Sequence, residues 1–144
     1  MAKTYRLGPA RRAVNRVVRL LLGTPFGPPH HVLLTVAGRR SGQPRSTPVR
    51  PVEYAGQRFL VSPYGPVGWV RNARVAGQVT LRRGGHQETV TVVEEGPAAS
   101  GPVLRAYVRA VPVTRPFFDA GPDDPVDRFV AEAASHPVFR VLTP

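Results

Sequence analysis

Residues His31–Tyr54 read HVLLTVAGRRSGQPRSTPVRPVEY. Two runs with strand character flank a stretch of arginine and turn residues. The first, His31–Val36, has the Val, Leu and Thr content of a buried strand. Gly38 and Gly42 then let the backbone turn tightly. The second run, Arg45–Tyr54, reads as a strand whose Pro48 and Pro51 lack N–H donors, which places it at a sheet edge or a bulge. A strand, a short loop and a strand in succession are antiparallel neighbours. The rest of the chain is read outward from that hairpin.

On the C-terminal side, Ala55-Gly56-Gln57 is a turn and Arg58–Ser62 a third strand. The loop PYGPVG leads to a short helix, Trp69–Val75, with Trp69, Val70 and Ala73 as its apolar positions. Gln78–Arg82 and Gln87–Glu94 pair as a hairpin across Gly84-Gly85. A helix over Val103–Arg109 turns Val103, Leu104, Tyr107 and Val108 inward. VPVTRPFFDAGPD is irregular. A helix over Pro125–Ser135 takes Asp123 or Asp124 as N-cap, and HPVFRVL closes as a last short strand. On the N-terminal side, Pro9–Leu22 is an amphipathic helix: Val14, Val17, Val18, Leu21 and Leu22 recur at helical spacing, opposite Arg11, Arg12, Arg16 and Arg19. Gly23 and Pro25 end it. Five or six strands in hairpin order with four short helices favour an α+β chain built on an antiparallel barrel over a doubly wound sheet. At 144 residues, a single domain over 1–144 is the expectation.

The net charge of +11 is unevenly placed. Residues 1–87 carry fifteen Lys/Arg and one acid, Glu53, whereas residues 88–144 carry five Arg and eight acids. The basic part suits an anionic partner: nucleic acid, anionic lipid or a phosphorylated ligand. Nucleic acid is set aside, because no predicted strand interleaves aromatics with the basic residues as single-strand binding requires. The N-terminal helix could make peripheral contact with a membrane surface or pack on the barrel. No run reaches the roughly 18 apolar residues of a span, VVRLLLG is interrupted by Arg19, and a cytoplasmic protein is expected.

Protein-side-chain hydrolysis fits poorly. There is no cysteine, no G-x-S-x-G elbow around Ser41 or Ser62, and no carboxylate pair in the basic part. Of the four histidines, His30 and His31 would point to opposite sides of a strand, so no metal site is expected. An enzyme of this composition would draw its chemistry from a bound organic cofactor. For the loop itself two readings stand level on spacing alone: a phosphate cradle of backbone N–H groups with Arg39, Arg40 and Arg45, assisted by Ser41, Ser46 and Thr47, or a solvated basic hairpin.

Three segments in order, LLTVAGRRSGQPRSTPV, FLVSPYG and GWVRNARVAGQVTL, resemble the deazaflavin-dependent nitroreductase family, whose members are small split β-barrels of FMN-binding-like type that use coenzyme F420. The resemblance covers about Val32–Val93. It implies that Gly38, Arg39, Arg40, Ser41, Gly42 and Arg45 hold the phosphate and oligoglutamate tail of F420. Thr47 and Pro48 would lie near the deazaflavin ring, and backbone amides at Val61 and Ser62 would meet the ring's pyrimidine-like edge. Trp69 and Asn72 would close the pocket beneath it. Where the family commonly has Lys after the serine, this chain has Pro63; the segment from Ser62 to Trp69 is about three residues shorter than usual; and Val70 stands in place of a frequent Tyr. These departures touch the tail and substrate sides of the pocket.

The implied activity is hydride transfer from reduced F420 to an electron-poor small molecule: an enone, a quinone or a nitro compound. Tyr64 and Tyr107 are the candidate proton donors, with a core role for Tyr107 as the competing reading. FMN is the alternative cofactor, and a non-catalytic carrier of lipid, haem or flavin the alternative function. A homodimer is a further expectation, since split barrels of this kind often pair.

Overall fold

The computed structural model describes residues 30–142; the expected helix over residues 9–22 lies outside them. Seven strands form one antiparallel sheet: β1 Val32–Ala37, β2 Pro44–Val49, β3 Val52–Tyr54, β4 Gln57–Val61, β5 Gln78–Arg83, β6 His86–Glu94 and β7 Val138–Leu142. Three α-helices accompany them: α1 Gly68–Ala76, α2 Pro97–Ala110 and α3 Val126–Ala131. Short 3-10 turns run over Pro112–Phe117 and Ala133–Ser135. No helix among the described residues is long and apolar enough to cross a membrane.

The sheet order is β2-β1-β5-β6-β7-β4-β3. Its two edges are β2 and β3, and Arg50 and Pro51 alone separate them in the chain. Three Cα steps of about 3.8 Å bridge Val49 to Val52, so the two edges approach within about 11 Å there. The sheet must therefore curl back on itself at that end. The run Arg45–Tyr54, expected as one strand, is thus two. Proline explains the break: Pro51 has no N–H to offer a ladder and restricts Arg50 before it. Pro44 and Pro48 stand on the open edge of β2, where a missing donor is tolerated.

Alternation assigns the two cores. Leu34, Val36, Val79, Leu81, Val90 and Val92 form one interior with Val70 and Ala73 of α1. In β4, Leu60 joins that interior, while its neighbours Phe59 and Val61 face the other way. They meet Val103, Leu104, Tyr107 and Val108 of α2, together with Phe118 and Phe129. Burial on both faces is why Phe59-Leu60-Val61 reads as an unbroken apolar run.

Helix α2 begins at Pro97, well before the expected Val103. Pro97 suits a first helical position, and Pro102 is accommodated inside at the loss of one backbone bond. Ser100, Gly101, Val103 and Leu104 are all buried there. A Cβ on Gly101 would lie 2.5 Å from Val130 Cγ2, so the bare glycine lets α2 and α3 pack closely. Helix α3 lacks the expected aspartate cap: Pro125 occupies the N-cap position, and Asp124 Oδ2 accepts from the Gly121 N–H at 2.7 Å.

Candidate active site

A cavity of about 610 Å³ runs along β2. Every residue from Arg45 to Arg50 contributes to its wall. Facing them are Val61–Tyr64 at the end of β4, Trp69 and Asn72 of α1, Tyr107 of α2, and Val111, Val113 and Thr114 just beyond it. The lining contains Arg39, Arg45 and Arg50 and no acid. An acid-free pocket with three guanidinium groups is biased toward anions.

The β1–β2 loop is closed by its own backbone. The Gly38 N–H donates to Gln43 O at 2.8 Å, and the Gly42 N–H to Gly38 O at 2.9 Å. Gly42 sits at φ 74°, a left-handed conformation that glycine adopts without strain. The Gln43 N–H donates to Ser41 Oγ at 3.2 Å. Those N–H groups, expected to cradle a phosphate, are engaged in shaping the loop. Gly38, Arg40, Ser41 and Gly42 stand outside the cavity wall, whereas Arg39 and Arg45 reach it.

Asn72 explains how Arg39 is held. Its Oδ1 accepts both the Arg39 backbone N–H and Arg39 Nη1, each at 3.0 Å. Asn72 is buried and therefore ties loop to helix; it does not cap α1, whose N-cap is Val67. Trp69 lines the cavity with one side and packs on Phe139 with the other, ring centroids 5.7 Å apart.

The wall at the end of β4 is fixed from behind. The Ser62 N–H donates to Pro137 O at 2.9 Å, and Ser62 Oγ to Gly65 O at 2.5 Å. The Ser62 amide, expected at the edge of a ring, is thus already bonded to the protein. Pro63 O accepts from His136 Nδ1 at 2.8 Å. A carbonyl can only accept, so Nδ1 carries the hydrogen. His136 Nε2 lies 2.7 Å from Glu132 Oε1, and the same carboxylate accepts the backbone N–H of Ala120 at 2.7 Å. Phe118 stacks on the imidazole at 3.9 Å. None of this network was legible in the sequence, because it joins positions 63, 118, 120, 132 and 136 across three segments.

Tyr64 is half-buried, edge-on to Phe117 at 4.8 Å. Tyr107 is buried in the core under α2 and also lines the cavity. Burial pushes its phenol well above the usual tyrosine value; Tyr64 adds to the rise and Arg50 opposes it. At neutral pH it stays a protonated hydroxyl.

The family model for F420H2-dependent quinone reductase matches residues 9–117 of this chain. The chain belongs to the F420H2-dependent quinone reductase family. It is accordingly an oxidoreductase that uses coenzyme F420. No curated protein matches it in sequence. Among solved structures, one described as a domain-swapped dimer is 22% identical with a TM-score of 0.57, covering 94% of this chain and 100% of its own. A structure of an F420-H2 dependent reductase (FDR-A) is 22% identical with a TM-score of 0.54, covering 79% of this chain and 95% of its own. A FAD-binding protein from Mesorhizobium loti is 15% identical with a TM-score of 0.51, covering 90% and 88%. At these identities the likeness is one of fold, and it places the curled sheet among the split barrels. The cavity suits the quinone reductase family's cofactor: its volume falls in the range of about 300–1,000 Å³ that holds small ligands, its walls are apolar around Trp69 and Val61, and its arginines match a phosphodiester.

Proposed function

We propose that this F420-dependent reductase acts on quinones, and that the cavity beside β2 holds cofactor and substrate together. One observation supports this above others: a single acid-free cavity carries guanidinium groups, an indole wall and two tyrosines at once. F420, when bound, supplies a hydride. Arg39 and Arg45 hold the phosphate-bearing part of the cofactor by charge and hydrogen bonding. Asn72 keeps Arg39 in place, and Trp69, Val61 and Pro48 bound the ring. Arg40, Ser41, Gly38 and Gly42, outside the wall, meet the tail beyond the phosphate. Tyr64 and Tyr107 offer neutral hydroxyls that orient a carbonyl oxygen and pass it a proton. Thr47 and Ser62 shape the floor. The apolar walls exclude water from the transfer.

The test is a side-by-side assay of F420H2 oxidation with a quinone, an enone and a nitroaromatic, read by cofactor absorbance. The quinone should give the highest kcat/KM; a nitroaromatic or enone that exceeds it overturns the substrate reading. A homodimer belongs to the same proposal, supported by the neighbour described as a domain-swapped dimer. A monomer mass by light scattering overturns that part.

A further inference from the structure

Arg50 is the cavity arginine that the loop motif does not account for. It stands in the break between β2 and β3 and lines the cavity. Five residues of extended chain, roughly 17 Å, separate it along the strand from Arg45. It therefore serves a different stretch of the cavity from the phosphate-holding pair. Its Nη1 donates to Ala110 O, the last residue of α2, at 2.8 Å. That single bond orients a group with five N–H donors. Among the described residues no carboxylate pairs with it. A half-buried cation facing an apolar cavity without a counter-ion is costly unless a ligand supplies the negative charge. Tyr64 and Tyr107 line the same cavity, and Tyr107 feels the field of both Arg50 and Tyr64.

We propose that Arg50, with the Tyr64 and Tyr107 hydroxyls, forms a second oxygen-anion subsite that binds a quinone carbonyl oxygen and holds the negative charge that develops on it. The inference rests on the quinone reading above. Reduction of a quinone to its hydroquinone takes two electrons and two protons. Hydride brings both electrons and one proton; one C=O π bond gives way to a new bond to hydrogen, and the displaced pair settles on the other oxygen. The deazaflavin donor is oxidised and the quinone reduced. Arg50 faces that oxyanion until a solvent proton, relayed by a tyrosine hydroxyl, neutralises it. A fixed cation aimed at developing charge lowers the barrier without reorganising at the moment of reaction.

The test uses 4-nitrophenol, whose phenolate stands in for the oxyanion. It is titrated by visible absorbance against the full chain, with and without saturating oxidised F420. The unaltered protein should bind the phenolate at least about tenfold more tightly than the phenol. Arg50→Gln should remove that preference and Arg50→Lys keep part of it. In turnover with F420H2 and 2-methyl-1,4-naphthoquinone, Arg50→Gln should lower kcat about 100-fold with F420 affinity unchanged. An unaltered protein without phenolate preference overturns the inference whether or not a variant folds, and so does a preference that survives Arg50→Gln. A protein that binds no F420 yet keeps an Arg50-dependent preference overturns the functional reading and leaves the anion subsite standing.

Discussion

Asn72 shows how one oxygen can set the aim of a cavity arginine. It accepts from both the backbone and the guanidinium of Arg39, so Asn72→Leu frees Arg39 without touching its charge. Losing one charge-assisted bond, about 1.4 kcal/mol, should weaken F420 binding about tenfold in a fluorescence titration. Tyr107 offers a second residue-scale test. Its phenol titrates above the ordinary range because burial disfavours the anion. The folded value exceeds the unfolded one, so its contribution to stability is complete below about pH 10 and is lost as pH rises through the folded value. Ultraviolet titration of the four tyrosines should show one ionising late, and Tyr107→Phe should remove that step. Arg39, Arg45, Trp69 and Asn72, which line the cavity, were picked out by the sequence because they lie in two of the motif segments. Arg50 was not. It stands outside the motif, in the break between β2 and β3, and only the folded chain shows that this break borders the cavity.

At the scale of elements, the pinning of the Ser62–Gly65 loop and the α2–α3 contact are the features to probe. His136 bridges Pro63 O and Glu132 in the interior. His136→Ala leaves the buried Pro63 carbonyl without its donor and removes one of the partners of Glu132, which keeps the Asp119 and Ala120 backbone N–H groups; it should destabilise by about 1–3 kcal/mol in urea unfolding, with weaker F420 binding alongside. Gly101→Ala should also destabilise, by about 1–3 kcal/mol, since the added methyl would meet Val130 and Val126. Gly85→Ala is its control: nothing lies within 4 Å of a Cβ there, and the melting temperature should hold. The hairpin over β5 and β6 was read correctly because its turn and alternation are local. The early start of α2 was missed because Pro102 argues locally against a helix, while the close approach of Gly101 to Val126 and Val130 of α3 favours one.

For the whole molecule, charge and closure matter most. The net charge of +11 and an acid-free cavity should make F420 association strongly salt-dependent. Raising ionic strength from 0.01 to 0.15 M shortens the screening length from about 30 to 8 Å, so the association rate in stopped flow should fall several-fold. A salt-independent rate would show that the arginine field does not guide the cofactor. The sequence by itself determined the β1–β2 and β5–β6 hairpins, the basic character of the loop and the family motif, since each rests on neighbours within a few residues of one another. Tertiary structure decided what depends on curvature. A sheet whose edge strands β2 and β3 are joined by two residues has to close, and that closure brings Arg50 to the same cavity as Arg45, Tyr64 and Tyr107. It also decided that the loop's glycine amides bond to the Gln43 and Gly38 carbonyls while the Arg39 and Arg45 side chains reach the cavity. Backbone donors must be satisfied wherever the chain bends, and which partner is nearest is a property of the folded path.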